Sequence, residues 1–170
     1  NGFGMRATAS DQVVLNGCRV PAESILGQPG KSAQATRSRG PVTPLGQAAV
    51  SLGVAEAARR RIQELGLVER GGAAACEIDA RLQAAGALLD RAAWLAQHEP
   101  ASLGRAVPEA KLVCDTSAIR IVDLADQIAR DHGVLGDETL DRCRRDARAG
   151  AVMTMNAEVC RDNIARSLLG

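Results

Sequence analysis

Three long runs of helically spaced apolar residues constrain this chain more than any other feature. Over about 74–97, Ile78, Leu82, Ala85, Leu89, Ala92 and Leu95 or Ala96 recur three or four positions apart, which lines them up on one helix face. Over about 106–131, Leu112, Val113, Ile119, Val122, Leu124, Ala125 and Ile128 do the same. A run over about 43–66 opens at Thr43-Pro44, a cap-like residue followed by a proline suited to a first helical turn, and places Val50, Val54, Ala57 and Ala58 together. Shorter helices are expected near 138–149 and 156–168. The apolar material is mostly Ala, Val and Leu. The sequence is 46% hydrophobic, yet Phe3 and Trp94 are its only aromatic residues. Small side chains let helices approach closely and suit a bundle better than a thick sheet core. The expected fold is therefore mainly α: an antiparallel up-and-down helical bundle preceded by a short β segment.

The β segment is read from "QVVLNGCRV", two β-rich pieces around Asn16-Gly17, a dipeptide that favours a tight hairpin turn. Two strands alone are marginal in water, so this piece is expected to belong to a sheet completed elsewhere. "QPGKSAQATRSRGP", rich in Gly, Pro and Ser, reads as a connection. The expected organisation is residues 1–30 as the end of an incomplete β-domain, 31–42 as a linker and 43–170 as the helical bundle domain.

Composition excludes several function classes. Lys plus Arg number 21 against 20 for Asp plus Glu, a balance that lacks the basic excess of a nucleic-acid footprint. "RSR" at 37–39 and "RRR" at 59–61 read as solvated faces. The five cysteines form no C-x-x-C, and His98 and His132 share no ligand spacing with them, so no metal site is expected. The odd cysteine number, in a helix-rich chain without a signal-type leader, leads us to expect buried reduced thiols and a cytoplasmic location. No apolar run reaches the ~18–20 residues of a membrane span.

The order of the parts carries a resemblance. "GFGMRATASDQVVLNGCRVPAESILG" resembles the end of the middle β-domain of acyl-CoA dehydrogenases. "AAVSLGVAEAARRR" looks like their first C-terminal helix, and "EAKLVCDTSAIRIVDLADQIARDHGVL" like the helix that ends near the flavin adenine. "RRDARAG" and "EVCRDNIARSLLG" are similar to the closing segments. The resemblance covers nearly the whole chain. It implies an N-terminal helical domain and most of a β-domain before residue 1, a flavin adenine dinucleotide (FAD) cofactor, an acyl thioester substrate, and a homodimer or homotetramer or pairing with a missing half or related subunit.

The resemblance also implies roles for particular residues. Desaturation of an acyl thioester needs a base for the proton α to the carbonyl, commonly a Glu just before the last helix. Here Thr154 holds that place, and a Thr hydroxyl is neutral at pH 7. The family's other base position falls near Thr43-Pro44, again without a carboxylate. Glu158, one turn beyond Thr154, is the nearest candidate. In the family's Gln-x-x-Gly-Gly-x-Gly stretch, Gln127 and Gly133 match, while Arg130 and Asp131 replace glycines whose bare backbone lets the adenine approach. Arg70 is what remains of an Arg segment used on the flavin pyrophosphate, and Asn156 falls where the closing loop touches flavin. The expected function is the C-terminal part of an acyl-CoA dehydrogenase-like flavoprotein oxidoreductase. The alternatives are a non-catalytic assembly module or pseudo-subunit, and a flavin monooxygenase sharing the fold.

Overall fold

The structure, a computed structural model, describes residues 3–10, 12–25, 27–31 and 40–169. Five α-helices make up most of it: α1 Val42–Glu64, α2 Gly72–His98, α3 Leu103–Asp131, α4 Glu138–Val152 and α5 Ala157–Leu169. Short connections turn the chain back each time, and α3 packs against all four others. Side-chain pairs across the interfaces fix the directions. Glu77 meets Arg120, the Cys114 thiol lies 3.7 Å from the Ala85 carbonyl, and Arg91 meets Glu109, so α2 and α3 are antiparallel. Arg59 with Asp79 and Leu52 with Gly86 set α1 antiparallel to α2. Arg61 with Asp137, and Ser51 against Gly150, set α4 antiparallel to α1. The expected up-and-down bundle is what forms.

The helix boundaries differ from expectation in instructive ways. Helix α1 begins at Val42, so Thr43 is not its cap. Pro44 sits in the first turn, where a missing N–H removes no intrahelical bond. Its buried face is Pro44, Ala48, Ser51, Ala55, Ala58 and Ile62, whereas the expected stripe member Val50 is half exposed. Alanine and serine mark that face by size, a signal hydrophobicity does not carry. Helix α3 starts at Leu103, ahead of the expected 106, and takes Pro108 into its length. Asp137 caps α4 by accepting from Thr139 N at 3.1 Å and Leu140 N at 3.0 Å, and Asn156 caps α5 by accepting from Val159 N at 3.0 Å.

The main core joins α1 to α4 through Ile62, Ile78, Ile121, Val122, Leu124, Ile128 and Leu140. Two smaller clusters continue it along α2 and α3, one around Ala92, Leu95, Ala106 and Ala110, the other around Ala48, Ala85 and Cys114. Large aliphatic side chains thus fill one end of the bundle, and alanines bring the helices together further along.

The expected β segment is not shown: no strand forms among the described residues. Val13, Val14 and Leu15 are 77–79% exposed, in a chain with only short turns at Arg6–Thr8 and Ala22–Ser24. A strand needs a partner for its backbone groups, and the bundle offers no sheet edge. The segment is tied down near its start, where Met5 N donates to Asp146 Oδ1 at 2.6 Å and Gly4 lies tight against the Arg145 carbonyl. The expected linker 31–42 falls largely on residues 32–39, outside those described. The cysteines are all free, but Cys18 and Cys76 are exposed, and only Cys114, Cys143 and Cys160 are buried as expected. Among the described residues no helix is long and apolar enough to cross a membrane.

Candidate functional site

The predicted site residues fall into two groups. The first occupies the junction between α4 and α5. Helix α4 ends at Val152, the chain bends through Met153 and Thr154, and Met155 takes a left-handed backbone (φ 57°), uncommon for a residue with a side chain. Thr154, Asn156 and Glu158 are all exposed. Asn156 spends its side-chain oxygen on capping α5, which leaves its amide NH2 for another acceptor. Glu158 lies in the first turn of α5, where a carboxylate complements the helix dipole. Cys160 anchors the bend from below, its buried thiol 3.2 Å from the Met155 carbonyl. Burial pushes that thiol above its ordinary pKa.

The second group gathers where the α1–α2 connection crosses the C-terminus of α3. A Cβ on Gly71 would meet Ile128 Cδ1 at 2.9 Å, which places Arg70 beside that end of α3. Gln127 and Gly133 are exposed on and just beyond α3. Gly133 has φ +81°, and a Cβ there would meet nothing within 4 Å, so its backbone is open to a ligand. An exposed guanidinium, an exposed amide and a bare glycine backbone, its own N–H donating to the Arg130 carbonyl at 3.0 Å, thus lie toward this end of α3. Arg130, at one expected glycine position, is drawn to Asp126 at 2.9 Å. His132 is held by its own helix, Nδ1 lying 2.8 Å from the Ile128 carbonyl. The two groups sit at different levels: Asp115, near the level of the α4–α5 junction, is ~18 Å along α3 from Gln127 at ~1.5 Å per residue.

A third constellation was missed by the sequence reading. Lys111 and Asp115, one turn apart on α3, are 0% and 1% exposed, and Lys111 Nζ donates to Asp115 Oδ2. Ser51 Oγ, reaching across from α1, donates to Asp115 Oδ1 at 2.7 Å. A Cβ on Gly150 of α4 would come within 3.1 Å of that same Ser51 Oγ, so three helices close around one buried ion pair. The available signal was a Lys and an Asp four apart inside an apolar run, with Lys111 one of only two lysines in the sequence. Nearby, burial raises the Cys114 thiol to about 11, so it is a neutral packing group.

Among the described residues no three His, Cys, Asp or Glu side chains come together as a metal site. What the junction offers is hydrogen bonding: the Thr154 hydroxyl donates or accepts, and it does not take a proton from carbon unaided.

Fold and site together define an up-and-down helical domain. A family model, Acyl-CoA dehydrogenase, C-terminal domain, matches residues 42–169. The chain belongs to the acyl-CoA dehydrogenase family. It is 35% identical over 172 residues to amino sugar nitrososynthase DnmZ of Streptomyces peucetius, covering 90% of the chain and 42% of that protein. It is 27% identical over 178 residues to the mitochondrial short-chain specific acyl-CoA dehydrogenase of Sus scrofa, covering 98% of the chain and 43% of that protein. The chain thus spans less than half the length of these curated relatives.

Proposed function

We propose that this chain is the C-terminal helical part of an FAD-dependent oxidoreductase. Arg70, Gln127, Gly133 and Asn156 are its contacts to the cofactor, and the α4–α5 junction around Thr154 faces the substrate. The observation that carries the reading is the family match over 42–169 on an up-and-down bundle that exposes all four residues. When bound, the flavin supplies the two-electron chemistry. The chain's own residues bind and orient: Arg70 offers a charged donor to phosphate, Gly133 lets a ring system lie on bare backbone, and Asn156 offers its NH2 beside the reacting region.

On the acyl thioester reading, Thr154 orients the substrate by a hydrogen bond and the proton leaves through another carboxylate, for which Glu158 is the candidate on this chain. Thr154 itself favours a second reading. A position without a carboxylate suits oxygen transfer to an amine, and one relative is named for a product of that kind made on an amino sugar. Assembly follows the first reading's family: a homodimer or homotetramer, with the groove of about 700 Å³ between α1 and α2, lined by Leu52, Arg59, Arg60, Asp79 and Gly86, at a contact between copies.

The test uses the whole protein. One flavin per chain, seen in the visible spectrum, is expected. A colourless protein that takes up no added FAD overturns the proposal. With flavin bound, Thr154→Glu is expected to raise desaturation of an acyl-CoA, measured with an artificial electron acceptor, by ~10²–10⁴. If Thr154→Glu gives no gain and Glu158→Gln abolishes a native activity, the base is Glu158. Turnover of an amine with reduced nicotinamide and oxygen, and of no acyl-CoA, selects the second reading.

A further inference from the structure

Among the described residues, Gln47 Oε1 is the buried side-chain oxygen that no group in the structure hydrogen-bonds. Leaving an amide oxygen enclosed and unpaired destabilises a folded protein, so such an atom calls for an explanation. Its position supplies one. Gln47 stands one helical turn before Ser51 on α1, and residues four apart share a helix face. Helices α1 and α4 run antiparallel, with Arg61 opposite Asp137 and Ser51 opposite Gly150. Continuing that register by one turn carries Gln47 past the end of α4 at Val152, toward the α4–α5 junction. Helices α1 and α3 run parallel, with Ser51 against Asp115, so the same turn brings Gln47 level with Lys111.

The neighbouring polar groups are already engaged with one another. Lys111 and Ser51 both donate to Asp115, and those bonds hold α1 and α3 in register beside Gln47. Gln47 Oε1 is therefore an unspent acceptor on the side of α1 that leads toward the junction that the proposed function assigns to the substrate.

We propose that Gln47 is a specificity-determining residue whose amide oxygen accepts a hydrogen bond from an amine or hydroxyl group of the substrate. The inference rests on the reading of the α4–α5 junction as substrate-facing. A purely hydrocarbon acyl chain has no donor and leaves Gln47 Oε1 unpaired. A substrate bearing N–H or O–H near its reacting carbon satisfies it, and sites built around such a bond reject analogues that lack it.

The experiment uses the whole flavin-loaded protein and two matched pairs of probes: butyryl-CoA against 3-hydroxybutyryl-CoA, and a methyl deoxyhexoside against the same sugar carrying an amine. Dissociation constants come from perturbation of the flavin spectrum. The donor-bearing member of at least one pair is expected to bind ~10-fold tighter, the scale of one hydrogen bond. Gln47→Leu is expected to erase that preference and leave affinity for the donor-free member unchanged. Thermal unfolding without probe gives an independent readout: Gln47→Leu removes an unpaired buried oxygen, so its Tm is expected to hold or rise. A preference that survives Gln47→Leu, equal binding of both members, no binding of either donor-bearing probe, or a Tm that falls by several degrees overturns the inference. A protein that takes up no flavin fails the flavoprotein reading, and this inference with it. A flavin-loaded protein that fails the probe test fails this inference alone.

Discussion

Around Ile62, Ile78, Ile121 and Ile128 the bundle is filled by branched aliphatic side chains, whereas around Ser51, Lys111, Asp115 and Gly150 the same helices meet through small residues and a buried ion pair. The first region is held by area removed from water, which is non-directional and spread over many contacts. The second is held by a few directional bonds, each conditional on the others. The aliphatic interior leaves no room for a ligand, and the residues proposed to meet the cofactor at that end, Arg70, Gln127 and Gly133, lie on its surface. The polar region carries hydrogen-bonding groups inside the bundle, with Gln47 and Thr154 toward the same end. The difference teaches that the bundle holds its two ends together by different forces along the length of α3, with proposed ligand contacts at both.

The largest expected effect breaks the polar region. Lys111→Met alone, or Asp115→Leu alone, leaves an uncompensated buried charge and is expected to cost ~3–5 kcal/mol in denaturant unfolding. The double variant, with both charges gone, is expected to recover most of that loss. If it is no better than the singles, Lys111 and Asp115 do not act as one coupled unit.

At the aliphatic end, Ile121→Ala is expected to cost ~2–5 kcal/mol with no second substitution able to rescue it, because the loss is transfer energy plus a cavity. A cost below ~1 kcal/mol in the same unfolding measurement shows that α3 is not the packed centre of that end.

A milder effect sharpens the contact between α4 and α1. Gly150→Ala brings a Cβ to 3.1 Å from Ser51 Oγ and 3.7 Å from Met5 Cε. Overpacking of ~1–3 kcal/mol is opposed by ~1 kcal/mol of helix propensity, so a small net loss is expected. Pairing it with Ser51→Gly relieves the clash but removes the bond to Asp115. A gain in stability from Gly150→Ala alone would show that Ser51 is free to move.

The smallest effect is a pH dependence at the aliphatic end. The Arg61 side chain, with help from the Leu140 and Thr139 N–H groups, holds Asp137 below its ordinary pKa of 3.8. Arg120 and Arg81 hold Glu77 down to about 2 from 4.5. A depressed folded-state pKa gives stability that is present above the unfolded value and lost as pH falls through the folded one. The loss from these two groups is thus confined below about pH 4.5, falling away toward pH 2. Asp137→Asn, which keeps a capping oxygen and loses the charge, is expected to flatten its share of the acid slope in Tm. An unchanged slope removes Arg61–Asp137 from the account.

Much of the architecture was legible in the residues. The α2 stripe was read nearly as it stands, with Ile78, Ala85, Ala92 and Leu95 buried, because large and small apolar residues alternate with charged ones there. The α1 face was read in part: Ala58 is buried and Val54 and Ala57 pack against the core, whereas Ala48, Ser51 and Ala55 were missed because they differ from their exposed neighbours in size more than in polarity. The strands expected around Asn16-Gly17 do not form among the described residues, because turn chemistry is local but a strand exists only where another strand receives its bonds. Asn156 was found by resemblance, and its capping of α5 came from the structure. Thr154, Arg70, Gln127 and Gly133 were found by resemblance, and the structure leaves all of them exposed.

By itself the sequence determined helix content, the approximate helix limits and the order of the segments, because a helix face repeats every 3.6 residues and that period is written locally. Only the tertiary structure decided that Lys111, Asp115 and Ser51 share one buried site, and that Gln47 lies toward the junction that holds Thr154. Those residues stand 4, 64 and 107 positions apart in the chain. Their meeting depends on how antiparallel helices settle in register, which is fixed by close packing of small side chains across interfaces rather than by any pattern within a single helix.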